Sequence, residues 1–201
     1  MYHVLLNSVM RELGRIVRLQ IQRSSLKTGD KPTRVYDPGR LLTVGHLAIG
    51  PDGVLGQAGD GAWLVDVHHR AHPQTKNEDG AHGVSLGFTS HYAAMRDRFG
   101  DRITLGCAGE NIVVEADGRF TFEDLERGVA LLGDGGDEVA RLEVLQVAHP
   151  CRPFSGWALG GTVESDVLKE TLQFLDGGMR GFYCQGVRSG IVAVGDRVVA
   201  A

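Results

Sequence analysis

The chain has 201 residues, of which 42% are hydrophobic and 23% are charged, and its formal net charge is −4. This length and composition are those of an ordinary globular protein, and we expect one domain over residues 1–201 with a core that needs no disulfide. The acidic balance excludes a general nucleic-acid-binding protein, which would need a basic face to neutralise phosphates. It is compatible with a local basic pocket for a small anion.

The N-terminal segment, residues 1–13, is predicted to form a short helix ahead of a core that covers about residues 14–200. It lacks the basic region of a signal peptide, and no apolar run approaches the length of a membrane span. The three cysteines lack the close spacing of a disulfide framework, which favours free thiols in a reducing compartment. We therefore expect a cytoplasmic protein that binds neither membranes nor nucleic acid.

Glycine is abundant, with 29 residues, and it separates short apolar segments along the chain. Several segments alternate apolar and polar residues, as strands with one buried face do, and the clearest is Arg141–Val147. This spacing predicts many short strands joined by tight turns. The predicted strands are Ile16–Gln22, Leu42–Ile49, Asn111–Glu115, Val129–Leu132, Glu138–Val147, Phe182–Val187 and Ile191–Val199.

Two segments have helical spacing of their apolar residues. Thr89–Phe99 is followed by Gly100 as a stop signal, and Ser165–Leu175 has one apolar stripe. Because strands predominate and helices do not alternate with them regularly, a doubly wound α/β sheet is disfavoured. The sequence predicts a mainly β fold, a closed or nearly closed barrel with a few inserted helices. The polar segment His72–Gly83 is predicted to be a loop over one mouth of the barrel.

Cys151 has the strongest chemical signal in the sequence. It lies between Pro150 and Pro153 directly after a predicted strand, so we expect a stiff, extended loop at the barrel rim. The neighbouring Arg152 favours the thiolate form, which can act as a nucleophile or as a soft metal ligand. The alternative is a buried structural cysteine. Cys107 and Cys184 are assigned mainly to packing.

A glycine-rich turn precedes the predicted strand Asn111–Glu115. Its glycines, including Gly109, let the backbone approach a ligand and offer N–H groups to an anion. Glu110 and Asn111 are candidates for orienting this turn or contacting a ligand. The alternative is a plain barrel corner with a polar turn.

Histidines cluster in the middle of the chain. The spacing of His68, His69 and His72 resembles a zinc site, but no second ligand motif accompanies it. His68 is a candidate for anion binding or for proton relay, and His69 is treated in the same way. A set of surface-loop histidines is the alternative, and it is preferred for His72 and His82.

Arginine suits phosphate because its planar guanidinium offers paired donors. Four arginines lie near predicted strand ends or turns: Arg23, Arg152, Arg180 and Arg188. Most arginines in a protein are solvated, so the position of each alone is weak evidence for a phosphate site. Arg152 and Arg188 are retained as candidate ligands of an anionic cofactor.

The order of several short motifs along the chain is more informative than any one of them. Over roughly residues 14 to 200 this ordered series resembles the MOSC domain, named for the C-terminal domain of molybdenum cofactor sulfurases. The motifs are Gly14–Gln22, Asp66–His69, Ser90–Tyr92, Gly109–Asn111, Leu132–Asp134, Glu143–Gln146, Pro150–Cys151, Gly181–Tyr183 and Gly195–Asp196.

The resemblance implies a β-barrel that binds molybdenum cofactor (molybdopterin), with Cys151 matching the family's functional cysteine as a molybdenum ligand or sulfur carrier. The candidate cofactor-binding residues are then Arg152, Gly109, Glu110, Asn111, His68, His69 and Arg188. The segment Asp66–Arg70 lacks the paired glycines of the family's corresponding Asp-x-x-x-His-Gly-Gly segment, which weakens the case for His68 and His69.

Family members include reductases of N-hydroxylated compounds and domains fused to a pyridoxal-phosphate sulfurase. The first interpretation is therefore an oxidoreductase that reduces N-hydroxylated or similar small substrates. The alternative is a carrier that delivers persulfide sulfur or molybdenum cofactor, and a third is a barrel that binds a different small anion. The chain has no ferredoxin-like cysteine cluster and no room for a sulfurase domain. It would therefore need a separate electron-transfer or sulfur-donor protein.

Overall fold

The computed structural model describes residues 11–161 and 164–200. The α-helices in this part are α1 (Thr89–Phe99), α2 (Arg152–Ala158) and α3 (Ser165–Leu175), and 3₁₀ turns cover Pro38–Arg40 and Gly100–Arg102. The strands are β1 (Arg11–Gln22), β2 (Lys27–Thr28), β3 (Val35–Tyr36), β4 (Leu41–Val44), β5 (His46–Gly50), β6 (Gly53–Gln57), β7 (Trp63–Val65), β8 (Val84–Phe88), β9 (Ile112–Glu115), β10 (Val129–Leu132), β11 (Glu138–Val147), β12 (Phe182–Arg188), β13 (Gly190–Ala193) and β14 (Arg197–Ala200).

Seven strands close a barrel in the order β1-β14-β10-β11-β12-β8-β9 and back to β1. The pairings are antiparallel except for β8 and β9, which run parallel. Parallel neighbours need a crossover connection, and α1 supplies it. Strand β1 is long enough to pair with β14 near its start and with β9 and β4 farther along. The predicted mainly β barrel with inserted helices is confirmed.

A second sheet of order β13-β5-β6-β7 packs beside the barrel. Its apolar side chains, among them Leu47, Val54 and Val192, join the same hydrophobic core as the barrel interior. A separate core lies outside the barrel wall, where α2 packs against β3 and α1 packs against β8 and β9. Tyr36, Phe154 and other buried aromatic and apolar side chains form it. The strand pair β2–β3 belongs to this outer layer and carries residues that define the candidate site.

Three local predictions need correction. The helix predicted for residues 1–13 is wrong at residues 11–13, which are strand because pairing with β14 overrides a weak local preference, while residues 1–10 lie outside the described part. The predicted strand Leu42–Ile49 is two strands that separate at Gly45. Ile191–Val199 is likewise two strands, because the chain turns at Gly195, whose φ is +101°.

The extended loop predicted after Pro150 is also wrong, since helix α2 begins at Arg152. Pro153 lies in the first turn of this helix, where the absent backbone donor of a proline costs nothing. Cys151 is therefore the residue that immediately precedes a helix. Within the described residues, no helix is both long and apolar enough to cross a lipid bilayer.

Candidate functional site

A cleft of about 250 Å³ opens at the rim of the barrel where β1 ends, and we call it the rim cleft. Gln22 at the end of β1, Glu110 in the turn before β9 and Tyr183 in β12 line its barrel side. The β2–β3 hairpin and the loop after β7 line the opposite side. Residues from five separated parts of the chain therefore meet at one mouth of the barrel.

The rim cleft is strongly cationic although the protein carries a net negative charge. Lys27, Arg34, Lys76 and Arg180 line it, and Glu110 is the one carboxyl group among its lining residues. Glu110 is buried, and its Oε2 accepts a hydrogen bond from the Tyr92 hydroxyl. Burial raises the pKa of Glu110, which weakens its contribution of negative charge. The lining therefore favours an anionic ligand.

The turn before β9 is held in place by side chains of β1. Gln20 donates from Nε2 to the carbonyl oxygens of Gly106 (2.7 Å) and Glu110 (2.8 Å), and Gln22 donates to that of Gly109 (2.9 Å). Gly109 has a φ of +101°, and a Cβ there would lie 2.9 Å from Leu26 Cδ1. Its N–H donates to the carbonyl of Gly106 (3.0 Å). The prediction that this turn offers free N–H groups to an anion is therefore wrong at Gly109.

Asn111 acts as an internal brace. Its Oδ1 accepts from the Ser85 backbone N–H (3.0 Å) and hydroxyl (2.9 Å), and its Nδ2 donates to the carbonyl of Gln20 (3.2 Å) and to Asp66 Oδ2 (3.1 Å). Its own backbone N–H donates to Ser85 Oγ. Every polar group of this buried residue is thus used inside the protein. Asn111 joins β1, β8 and the loop after β7 behind the rim cleft.

His68 reaches the rim cleft from the loop after β7. Its ring Nδ1 lies 3.0 Å from Oδ1 of Asp66, which is fully buried, and its side chain is 33% exposed. His69 does not line the cleft, and its Nδ1 accepts from the backbone N–H of Ala71 (3.1 Å). The structure thus separates the two histidines. Among the described residues, no three His, Cys, Asp or Glu side chains are grouped as a metal site.

Cys151 is half-buried and lines an adjoining cleft of about 660 Å³, which we call the outer cleft. Lys31 and Arg152 also line the outer cleft, whereas Lys27 and Arg34 line both clefts and connect them. The sulfur of Cys151 therefore faces a space surrounded by cations. The side chain of Cys151 also packs in part against the outer core around Tyr36 and Phe154.

Arg180 links the two clefts chemically. Arg180 is buried, and its Nη2 donates to the carbonyl oxygen of Ala108 (2.8 Å). Its Nη1 lies 3.7 Å from Cys151 Sγ. Its guanidinium carbon lies 4.2 Å from the centre of the Phe154 ring. Its Nε has no hydrogen-bond partner, and no carboxylate within the described residues lies at ion-pair distance. A buried cation without a carboxylate is costly unless an anion is supplied.

The other predicted residues are placed as follows. Arg152 is exposed beside Cys151, whereas Arg188 lies at the far end of β12, where its Nη1 is 3.4 Å from Glu138 Oε1. Cys107 and Cys184 are buried and free, as predicted for packing residues. Burial raises the pKa of the Cys107 thiol to about 12 and raises that of Cys184 as well.

Several lining residues were not predicted as site residues from the sequence, among them Lys27, Arg34, Lys76 and Tyr183. Arg180 was noted only as an arginine near a turn, although it directly precedes the Gly181–Tyr183 motif. Lys27 lies in β2, and Arg34 directly precedes β3. Each of these strands has only two residues, which is too few for an alternating hydrophobic pattern to mark it in the sequence. Their convergence on Cys151 depends on tertiary structure.

Comparison with known proteins agrees with this architecture. A model of the MOSC domain family matches residues 79–199. The structure is similar to that of YuaD from Bacillus subtilis, with a TM-score of 0.52 and 15% identity over 92% of this chain and 97% of that one. YiiM from Escherichia coli gives a TM-score of 0.50 and 14% identity over 80% of this chain and 64% of that one.

No curated protein sequence matches the chain. The two structural similarities, at these identities, show a shared fold. The family match covers more than half of the chain, including the Gly109–Asn111 turn, Cys151 and Arg180. The chain therefore belongs to the MOSC domain family.

Proposed function

We propose that the protein binds molybdenum cofactor across the rim and outer clefts and reduces N-hydroxylated or similar small substrates, with Cys151 as a ligand of the metal. The MOSC family is generally associated with molybdenum cofactor, which sets the class of ligand. The observation that carries the proposal is the pairing of Cys151 Sγ with the buried, carboxylate-free guanidinium of Arg180.

The residues present fit such a group. A thiolate is a soft ligand suited to a metal of this kind, and Cys151 is the one cysteine exposed to a cleft in the described part. Because no three-residue metal site accompanies it there, the remaining ligands would come from the cofactor itself. When bound, the group would supply a metal centre that exchanges electrons with the substrate.

The chain's own residues would hold and orient this ligand. Lys27 and Arg34 lie where the two clefts meet and would neutralise its phosphate. Arg180 would keep the Cys151 sulfur in place and provide a fixed positive charge beside it. The rim cleft continues from these cations to the polar groups of His68 and Tyr183, which leaves a place for a small substrate. Electrons would come from a separate protein.

The test compares wild type with Cys151→Ser after expression in molybdenum-replete cells. Wild type should retain molybdenum and pterin and should reduce a hydroxylamine-type substrate with dithionite-reduced methyl viologen. Cys151→Ser should keep pterin, lose molybdenum and activity, and melt within about 2 °C of wild type, because the side chain is half-exposed and surface substitutions change stability little.

Cys107→Ala is the control because the side chain of Cys107 is buried and lines neither cleft. It should lower stability and leave the metal content unchanged. A wild-type protein with neither molybdenum nor pterin would overturn the proposal, as would full activity in Cys151→Ser. Retained cofactor combined with loss of a persulfide on Cys151→Ser would instead identify a sulfur carrier.

A further inference from the structure

The carboxylate of Asp66 accepts from three fixed donors and lies beside the ring of His68. Its Oδ2 accepts from the Gln22 backbone N–H (2.7 Å) and from Asn111 Nδ2 (3.1 Å), and its Oδ1 accepts from the His68 backbone N–H (2.8 Å) and lies 3.0 Å from His68 Nδ1. A lone pair on Nδ1 would repel the carboxylate lone pairs at this distance. The ring proton of neutral His68 must therefore be on Nδ1, and Nε2 is the nitrogen left for the cleft.

The neighbouring histidines have the opposite arrangement. Nδ1 of His69 accepts from the backbone N–H of Ala71 (3.1 Å), and Nδ1 of His72 accepts from that of Gln74 (3.1 Å). Both rings must then carry their proton on Nε2. Local turn geometry in this loop thus favours one tautomer, and the buried carboxylate of Asp66 imposes the other on His68 alone.

His68 is also fixed at its backbone. Its carbonyl oxygen accepts from Asn77 Nδ2 (2.8 Å), so both the ring and the main chain are held although the side chain is one-third exposed. The same rim cleft contains Arg180 and is lined on its far side by Glu110 and Tyr183. Glu110 is already bonded to Tyr92, and burial raises the pKa of Tyr183. Two histidines line the rim cleft, and His68 is the one whose ring is held by a buried carboxylate, whereas the ring of His149 lies 3.3 Å from the exposed Asp176.

We propose that His68 is a catalytic proton donor in the rim cleft and that Asp66 is its positioning residue. This inference rests on the proposed reductase function. Reduction of an N-hydroxylated substrate, R–NHOH + 2e⁻ + 2H⁺ → R–NH₂ + H₂O, breaks the N–O bond with two electrons from the reduced donor. His68 first takes a proton from solvent at Nε2 while Asp66 holds the other ring proton on Nδ1. The Nε2 proton then goes to the departing oxygen, which leaves as water, and the substrate nitrogen takes the second proton from solvent. His68 thereby returns to its neutral Nδ1–H form.

The first test needs neither cofactor nor substrate. Long-range ¹H–¹⁵N correlation spectra of the cofactor-free, ¹⁵N-histidine-labelled protein at a pH where the rings are neutral report which nitrogen carries the proton. His68 should show the Nδ1–H tautomer, and His69 and His72 should show the Nε2–H tautomer; His68→Gln, His69→Gln and His72→Gln assign the signals. An Nε2–H tautomer at His68 overturns the proposal.

The second test measures kinetics on molybdenum-loaded protein with dithionite-reduced methyl viologen and a hydroxylamine-type substrate. In His68→Ala we expect kcat to fall about 100-fold, a typical loss for a general acid, with KM within about twofold of wild type and with partial rescue by added imidazole. His72→Ala is the matched control and should match wild type.

The two proposals fail in different ways. A protein that retains no molybdenum would refute the proposed function while the tautomer result stands by itself. A molybdenum-loaded His68→Ala protein with wild-type kcat would refute the proton-donor role and leave the proposed function intact. A fall in kcat without any rescue by imidazole, together with loss of molybdenum, would make His68 a residue of cofactor binding and would also overturn the proton-donor role.

Discussion

Arginines at the two clefts and arginines elsewhere on the barrel are used in opposite ways. Outside the rim and outer clefts, several arginines are matched with carboxylates: Arg11 lies 3.2 Å from Asp124, Arg197 lies 2.7 Å from Glu12, and Arg188 shares Glu138 with a neighbouring arginine. At the rim, Lys27, Arg34, Arg152 and Arg180 form no ion pair with any described carboxylate. The number of arginines alone would not distinguish these regions, whereas their pairing does.

The difference shows how charge becomes available for binding. An arginine with its own carboxylate is electrostatically satisfied and exposed to solvent, so it has little to gain from a ligand. Arg180 has no carboxylate partner and lies beside the sulfur of Cys151 and the ring of Phe154. Such a cation gains more from an incoming anion, because water screens charges less in these surroundings. Pairing, more than sequence position, therefore separates the candidate site from the rest of the surface.

The largest expected effect comes from removing the buried charge at the rim. Arg180→Met replaces a carboxylate-free cation by an apolar side chain of similar length. We expect retained molybdenum and pterin to fall at least tenfold, because truncating one partner of a desolvated charge pair typically costs about 2–5 kcal/mol. The free energy of unfolding should stay the same or rise, as it often does when a buried charge is replaced by a hydrophobic residue. Metal analysis, pterin fluorescence and urea unfolding measure these quantities.

The matched control for Arg180→Met is Arg188→Met. Arg188 was itself a predicted cofactor ligand, and the structure places it 3.4 Å from Glu138, outside both clefts. We expect its cofactor content to equal that of wild type. Equal losses in the two variants would break the comparison between arginines at the clefts and arginines outside them.

A smaller effect concerns the buried side chain of His91, which binds a proton less tightly in the folded protein than in the unfolded chain. His91 in α1 accepts at Nε2 from the Phe120 N–H (3.1 Å), and burial, together with the charge of Arg119, lowers its pKa from 6.5 to about 4. The unfolded chain binds a proton on His91 more tightly than the folded protein does, so protonation stabilises the unfolded state. The contribution of neutral His91 to the free energy of unfolding is therefore complete above pH 6.5, and it is lost as the pH falls toward 4. Between these limits we expect a loss of about 3 kcal/mol of unfolding free energy.

The measurement is urea unfolding at several pH values between 7 and 4 for wild type and His91→Gln, whose side-chain oxygen can still accept from Phe120. The difference between the two curves isolates His91 from the carboxyl groups that titrate in the same range. It should vary with pH across this window. Parallel curves would show that His91 does not account for the acid sensitivity.

The smallest expected effect lies among the matched pairs outside the clefts. The hydrogen bond from Arg141, and to a smaller extent the charges of Arg141 and Arg188, lower the pKa of Glu138. Glu138→Gln should reduce the unfolding free energy by about 0.5–1 kcal/mol at low salt and by less in 1 M NaCl, as for other partly exposed ion pairs. Retained molybdenum should be unchanged. A loss of cofactor in this variant would mean that these ion pairs are coupled to the clefts.

The elements that could be predicted from the sequence are those whose spacing of apolar residues shows which side of the element is buried. Strand β11 alternates because one face is buried, and α3 carries an apolar stripe because one side packs. Strand β8 was missed because all five of its residues are buried, so that no alternation marks it. Helix α2 was missed because Pro153, a helix breaker inside a helix, is tolerated in its first turn.

The candidate site was predicted in part for the same reason. The prolines around Cys151 mark it in the sequence, although its surroundings proved to be a helix start rather than a loop. The role of Arg180 depends on burial and on the sulfur 3.7 Å away, which no local pattern encodes. Asn111 was chosen correctly as a polar residue of interest, but its partners in β1 and β8 show a bracing role.

The closure of the barrel through β1 has a consequence for how the chain folds. Arg11 pairs with Ala200 and Glu12 with Val199, so the first strand finds this partner only after the last has been synthesised. Contacts of such long sequence separation carry a large loop-closure entropy and slow the folding of β proteins. During translation the first half of β1 has an unpaired edge until β14 has left the ribosome. Barrel closure should therefore be a late step of folding, and chaperone protection of that edge would raise the yield of native protein.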